Sequence, residues 1–379
     1  MPTANPLSDS VYKRRTLPTE YGIRGDYFRD QTAIIHSMPF RRLKHKTQVF
    51  FDPENDHVCT RIEHVLHVAT IAATICKGLN KHGWKLDGEL AYAIGLGHDL
   101  GHAPFGHAGE STLNDLMKKE GGFIHEVNGY RVVEYLANNG KGLNLTYAVK
   151  DGILCHNGEQ FERSLRPAHA ENNLERIKER KSISSSYEGC IVRFSDKIAY
   201  LGRDIEDALL ADLISPEDIP NEIRESLGTR NGEIIDTLVE DIIESSKDSD
   251  EICFSTGRFE LVSKLKEFNY KSIYKHARLA EYGEFSARII KSLFDYLQEL
   301  YSDFGQDFEA YRKRPNNYDT LFGRYLEKTD EFYHKSGRHP KRIICDYISG
   351  MTDGFALEWM KGITIPKPII FNHGTSKHN

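Results

Sequence analysis

Residues 61–80, RIEHVLHVATIAATICKGLN, decide the fold class. Ile62, Val65, Leu66, Ala69, Ala72, Ala73 and Cys76 recur at i, i+3, i+4 and i+7, the spacing of an apolar stripe on an α-helix. Gly78 marks the expected C-cap region. Residues 88–100, GELAYAIGLGHDL, read as a second, largely buried helix ending within Gly97–Gly101. The same period predicts helices over 126–138, 145–155, 187–212, 233–247, 259–268, 277–302, 304–312, 319–335 and 341–360. Strand-like alternation is confined to Thr47–Phe51 and Ile252–Ser255. The expected class is all-α with at most a small β-hairpin.

Composition narrows the function classes. The 379 residues are 39% hydrophobic with 19 Tyr and 19 Phe, and mean hydropathy is −0.53, so a large core is available and a mostly disordered chain is excluded. A formal charge of −6 argues against coating nucleic acid through bulk charge. No apolar run approaches the roughly 20 residues of a membrane helix, and MPTANPLSDSVYKRR lacks the apolar core of a signal peptide. Six scattered cysteines without a CxxC pair suit reduced thiols and a cytoplasmic location. The polar stretch 167–186 and the acidic run 244–251 read as surface loops or linkers, and the tail from Pro366 as mobile or packed on a neighbouring subunit.

The chemistry concentrates in residues 95–110, GLGHDLGHAPFGHAGE, which hold His98, Asp99, His102, His107 and Glu110 at a helix end. A His–Asp doublet offers mixed nitrogen and oxygen donors to a divalent transition metal. An isolated doublet is usually surface chemistry. Here the upstream helix adds His64 and His67, and FSDKIAYLGRD adds Asp196. Other templates fail: GxGxxxG at Gly95, Gly97 and Gly101 is not a dinucleotide fingerprint, and GxxxxGK[ST], HExxH and GxSxG are absent. Phosphate must then be held by metal and side-chain cations. Arg41, Arg42, Lys44, His45 and Lys46 form a basic run that reads equally well as a solvated face. Arg61, one helical turn before His64, is better explained as a phosphate contact.

RIEH, HDLGHAPFGH and DKIAYLGRD together resemble the H…HD…D signature of HD-domain phosphohydrolases. FRDQTAIIHSMPFRRLKHKTQVF, GFIHEVNG, YEGCIVRFSDKIAYLGRDIEDAL and CDYISGMTDGFAL narrow the resemblance to deoxynucleoside triphosphate triphosphohydrolases, the dGTPase-like family, over roughly residues 20–360. The resemblance implies an HD helical bundle over 56–212 behind an N-terminal segment 1–55. A helical region 213–365 would complete the nucleotide pocket and oligomer contacts, ahead of a tail 366–379. It makes His64, His98, Asp99 and Asp196 the ligands of a divalent ion (Mn, Mg, Fe, Ni, Co or Zn). His107 becomes the active-site histidine, partnered by Glu110 and His125, with His102 in the pocket wall; some relatives carry Asp at the position of Glu110. Arg61 would meet the α-phosphate region, and Lys197 and Arg203 would add phosphate contacts. Gln48 and Asp204 would bond the sugar 3′-hydroxyl, Tyr200 would crowd the 2′ position, and Tyr270 and Tyr274 would flank sugar and base.

The reaction so implied is hydrolysis of a dNTP to deoxynucleoside and inorganic triphosphate, with His107 as acid for O5′. The resemblance also implies a homo-oligomer, hexamer or tetramer. Single-stranded DNA and an allosteric dNTP are further partners known among relatives; no membrane is implied. Rival readings are an HD nucleotidase or phosphodiesterase acting on another nucleotide, and a non-catalytic nucleotide sensor.

Overall fold

A computed structural model describes residues 3–19, 22–50, 58–156 and 161–366. The principal helices are α1 (Asp26–Ile35), α2 (Arg61–Asn80), α3 (Gly88–Gly97), α4 (Gly106–Leu116), α5 (His125–Arg131), α6 (Tyr147–Cys155) and α7 (Tyr187–Leu210). They continue with α8 (Asn231–Ser246), α9 (Thr256–Asn269), α10 (Ala277–Phe304), α11 (Asn317–Lys335), α12 (Pro340–Ser349) and α13 (Asp353–Thr364). The only sheet among the described residues pairs β1 (Ser164–Leu165) with β2 (Ile252–Cys253), antiparallel. The chain is all-α, as expected. The pairing is long-range and not a local hairpin. Thr47 makes only a single bridge to Thr60, and Phe51 lies outside the described residues, as does the tail beyond Pro366.

Helix α2 is the axis of the first core and packs against α3 and α7. Of the expected stripe, Val65, Ala69, Ala72 and Cys76 are buried, Ile62 and Ala73 are half-buried and Leu66 is exposed. Arg61, His64, Val68, Ile71 and Ile75 widen the inward face, and its first turn carries two polar side chains inward. Its start is set by Glu63, whose Oε2 accepts the Thr60 N–H at 2.8 Å. Gly78 lies inside the helix, where a Cβ would strike Ile243 at 2.4 Å. By length and composition α2 could cross a bilayer, which amends the expectation that no run approaches that length. Half of its apolar window is buried within the bundle, the mark of a core helix.

A second core joins α10, α11, α12 and α13 to Ala103, Phe105, Leu113, Met117 and Phe123. Helix α4 and the loop before it therefore pack with the C-terminal helices. Asp353 at the start of α13 ties the two together: its Oδ1 accepts Phe105 N–H at 2.9 Å and its Oδ2 accepts Thr47 N–H at 2.8 Å.

Several boundaries correct the expectations. The helix expected over 126–138 is α5, then a wider π-turn at Val132–Leu136, then Asn138 and Asn139 with left-handed backbone. The helix expected over 341–360 is two, broken at Gly350–Thr352, where Thr352 caps α13. Helices α1 and α4 and the short helix Asn221–Leu227 lie where none was expected. The stretch 167–186 is no simple surface linker: Ser184, Ser185 and Ser186 are buried, and Asp151 accepts Ser184 Oγ and Ser185 N–H, each at 2.7 Å.

Close packing of α2 on α3 sets the distance between His64 and His98. A Cβ on Gly95 would lie 2.6 Å from Ala69 Cα, which is backbone and cannot yield. Gly95→Ala should therefore push the helices apart and cost ~1–3 kcal/mol, the usual penalty of overpacking. Denaturant midpoints will show it; an unchanged midpoint would mean the contact is soft.

Candidate active site

Three helices deliver the expected metal ligands. His64 sits in the first turn of α2, Asp196 in the middle of α7, and His98 caps the end of α3 with Asp99 beside it. His64 Nε2 lies 3.0 Å from Asp196 Oδ1, and His98 Nε2 lies 3.8 Å from that oxygen and 3.5 Å from Asp99 Oδ1. His98 Nδ1 donates to Gly95 O at 2.7 Å, which leaves the lone pair on Nε2, a buried atom without a hydrogen-bond partner. The ligand atoms of His64, His98 and Asp196 lie within 4.8 Å of one another. A buried orphan imidazole nitrogen among carboxylate oxygens fits a divalent ion. Burial pushes Asp196 up, but the His64 hydrogen bond and the His98 charge hold it below the ordinary carboxylate range, in the form a metal needs.

Asp99 also joins the neighbouring cation Arg61 to the His102 ring, which burial and Arg61 hold well below the ordinary imidazole range. Its Oδ2 accepts Arg61 Nη1 at 2.6 Å, and its Oδ1 lies 3.0 Å from His102 Nε2. His102 stacks on His125 with centroids 3.8 Å apart. The turn between Asp99 and His102 is tight because Gly101 lies directly on α5, where a Cβ would meet His125 O at 2.1 Å.

The second group lies on α4 and α5. Phe105 and Gly106 adopt left-handed backbone and start α4, which puts His107 in its first turn and Glu110 one turn on. His107 Nδ1 is 3.6 Å from Glu110 Oε2, and its side chain is 67% exposed, so the ring stays open to a ligand. His125 Nδ1 meets Glu110 Oε2 at 3.0 Å, and its backbone N–H donates to Oε1, also at 3.0 Å. Burial pulls His125 down, but Glu126 and Glu110 outweigh it and raise it to about 9.

These residues line one cavity of about 670 Å³. Arg61, His64, Asp99 and Asp196 form its floor, with His98 fully buried behind them. Tyr200 and Asp204 follow Asp196 at one and two turns of α7 and line the same cavity, as does Gln48. Tyr274 donates to Asp204 Oδ2, and burial raises that carboxyl to about 7. Gln48 Oε1 is buried without a partner. Tyr270 stands at the mouth. Lys197 and Arg203 are not brought to the cavity. One residue beyond Asp196, Lys197 is turned about 100° around the helix and pairs with Glu162 over the Phe161 and Phe194 rings. Arg203 pairs with Glu206 and Asp207. His67 lies half-buried on α2 outside the cavity lining.

Four further residues were not singled out from the sequence. His156 Nε2 lies 3.2 Å from His125 Nε2, with its own Nδ1 on Ile153 O at 2.7 Å. Arg180 reaches Glu110 and Glu126 from the stretch read as a linker. Tyr282 and Lys266 also line the cavity. His156 stands at the end of a helix that was expected, directly after Cys155. That position was the available signal.

Comparison with known proteins agrees with the fold. The HD domain family matches residues 61–201, and the phosphohydrolase-associated domain family matches residues 252–362. This is the domain pairing of an HD-type phosphohydrolase. The chain is 39% identical to a deoxyguanosinetriphosphate triphosphohydrolase-like protein of Caldanaerobacter subterraneus subsp. tengcongensis, over 91% of this chain and 87% of that protein. It is 34% identical to proteins of the same name from Desulfatibacillum aliphaticivorans, over 92% and 90%, and Clostridium perfringens, over 96% and 94%. The chain belongs to the deoxyguanosinetriphosphate triphosphohydrolase-like family.

Mn²⁺ should raise the thermal midpoint of the wild type by mass action and leave Asp99→Ala and His64→Ala unmoved. Elemental analysis finding full metal in purified Asp99→Ala would remove that residue from the ligand set.

His125 gives a pH dependence of defined sign. Its folded value, about 9, lies above the ordinary 6.5, so its charge pairing stabilises fully below 6.5 and is lost as pH rises through about 9. Urea midpoints should fall across that interval in the wild type and fall less in His125→Asn. Parallel curves would place the cation elsewhere.

Proposed function

We propose that the protein hydrolyses deoxynucleoside triphosphates to deoxynucleoside and inorganic triphosphate with a divalent metal ion as cofactor. The observation that carries this reading is one cavity lined together by His64, Asp99 and Asp196 of a metal-fitting His/Asp set, by the open His107 on its carboxylate, and by the polar and aromatic side chains of Gln48, Tyr200, Asp204 and Tyr274. The names of the relatives support the reaction class. His64, His98, Asp99 and Asp196 would hold the ion, which when bound supplies Lewis acidity at a phosphoryl group and a water of lowered pKa.

The chain's own residues do the rest. Arg61 is anchored by Nη1 on Asp99, so its charge is fixed where phosphoryl oxygens gain negative charge. The departing O5′ needs a proton. His107 donates it: pairing of Nδ1 with Glu110 orients the ring and leaves Nε2 as the nitrogen available to the substrate. His125 bonds the same carboxylate and so fixes it in place. Gln48 Oε1, lacking a partner, and Asp204, bonded by Tyr274, offer acceptors to a 3′-hydroxyl. The Tyr200 ring lies one turn from Asp204 and disfavours a 2′-hydroxyl, which would find neither room nor partner.

The test is a panel of four dNTPs and four NTPs with Mn²⁺ or Mg²⁺, with products separated by chromatography. Triphosphate and deoxynucleoside should appear, dNTPs should outpace NTPs, and His107→Ala should lose at least about 100-fold in turnover while retaining metal. Release of pyrophosphate or monophosphate would replace this reaction with another HD chemistry, and full turnover by His107→Ala would remove its acid role.

A further inference from the structure

The loop before α7 brings a cation to the carboxylate on which His107 rests. Arg180 Nη2 donates to Glu110 Oε1 at 2.6 Å, and Nε donates to Glu126 Oε1 at 2.8 Å and to Oε2 at 3.1 Å. One planar guanidinium thus spans two buried carboxylates on two helices, a geometry that a lysine ammonium does not reproduce. The division of labour at Glu110 is explicit. Oε1 takes Arg180 and the His125 backbone N–H, the His125 ring nitrogen lies 3.2 Å from Oε1 and 3.0 Å from Oε2, and Oε2 alone faces His107 Nδ1, at 3.6 Å.

Charge points the same way. Glu110 and Glu126 are both buried, and Arg180 adds a second cation beside His125 against the pair. Removing it takes an opposite charge and a hydrogen bond from each carboxylate, which favours uptake of a proton. A protonated Glu110 would face His107 Nδ1 as a neutral and weaker acceptor. The loop is rooted firmly enough for this role, because Ser184 and Ser185 at its end are bonded to buried Asp151.

We infer that Arg180 is a positioning residue of the active site: by clamping Glu110 to Glu126 it keeps Glu110 ionised and oriented as the rest for His107. The inference rests on the proposed role of His107 for its kinetic consequence, and on geometry alone for its effect on Glu110.

The experiment uses the full-length protein, Arg180→Ala and Arg180→Lys, each checked by thermal melting. In ¹³C-glutamate spectra the Glu110 carboxyl should titrate at least about one pH unit higher in Arg180→Ala than in the wild type, the effect of removing an adjoining opposite charge. The groups facing Glu110 in this titration are His107 on its own helix, His102 in the preceding turn, and His125 and Glu126 on α5. In turnover of a dNTP, kcat should fall at least about 10-fold with KM within about threefold, since the loss acts on the proton donor. Guanidinium ion added to Arg180→Ala should restore part of kcat, and Arg180→Lys should fall between. Arg180→Ala should cost nothing further in a His107→Ala background, because the two act as one unit. If the wild type turns over no dNTP, the proposed reaction fails while the carboxyl titration still decides the role of Arg180. An unmoved Glu110 titration, or additive losses with His107→Ala, would overturn the inference; should Arg180→Ala not fold, Arg180→Lys carries the same two readouts.

Discussion

Everything in the cavity depends on keeping the Asp99 carboxylate ionised inside the protein. A buried charge is tolerated only when paired and hydrogen-bonded, and Asp99 meets that condition through Arg61 and His102. The Arg61 pair links the first turn of α2 to the end of α3, and so aligns the two helices that carry His64 and His98. The inward first turn of α2 meets the same demand. Its two polar side chains, Arg61 and His64, are buried on the side of Asp99, ahead of an apolar face of Val65, Val68, Ala69, Ala72 and Cys76.

Around that pair the charges fall into two sets. On one side His64, His98 and Asp196 offer nitrogen and oxygen donors to an ion. On the other, Glu110 and Glu126 are balanced by His125 and Arg180. His102 touches both, bonded to Asp99 and stacked on His125. His156, pulled down to about 4 by burial and by His98, stays neutral and can accept from His125. The groups that could hold an ion and the carboxylates beside His107 are therefore joined through His102, His125 and His156 in one connected frame.

Part of this was legible in the sequence: His98 and Asp99 by adjacency, and Tyr200 and Asp204 only through the family resemblance. Helical geometry agrees with the latter, since Asp196, Tyr200 and Asp204 recur at one-turn intervals and share a face. Periodicity also tells against Lys197, since a neighbour in sequence points to another face of the helix. Its amphipathic stem packs instead against two rings. What could not be read was contact made by tertiary packing alone. Arg180 looked like one more cation in a polar stretch, because nothing local says that Ser184 and Ser185 are buried on Asp151. Helix α4 was hidden by its glycines, which serve a left-handed entry at Gly106 and a close approach at Gly109 to Pro104 O. The broken helix near the C-terminus follows from Thr352, whose capping bond competes with continuation.

The clasp made by Asp353 changes how the chain can be divided. The two matched families cover residues 61–201 and 252–362 and look like interchangeable modules. Yet Phe105 and Thr47 each lend a main-chain proton to one side chain from the later segment, in a place that water does not reach. A later half without an acid at the place of Asp353 would orphan those protons at the entrance to α4 and beside Gln48. The two halves are thus joined at a point where no module border is drawn, and a cut between them would expose two buried donors.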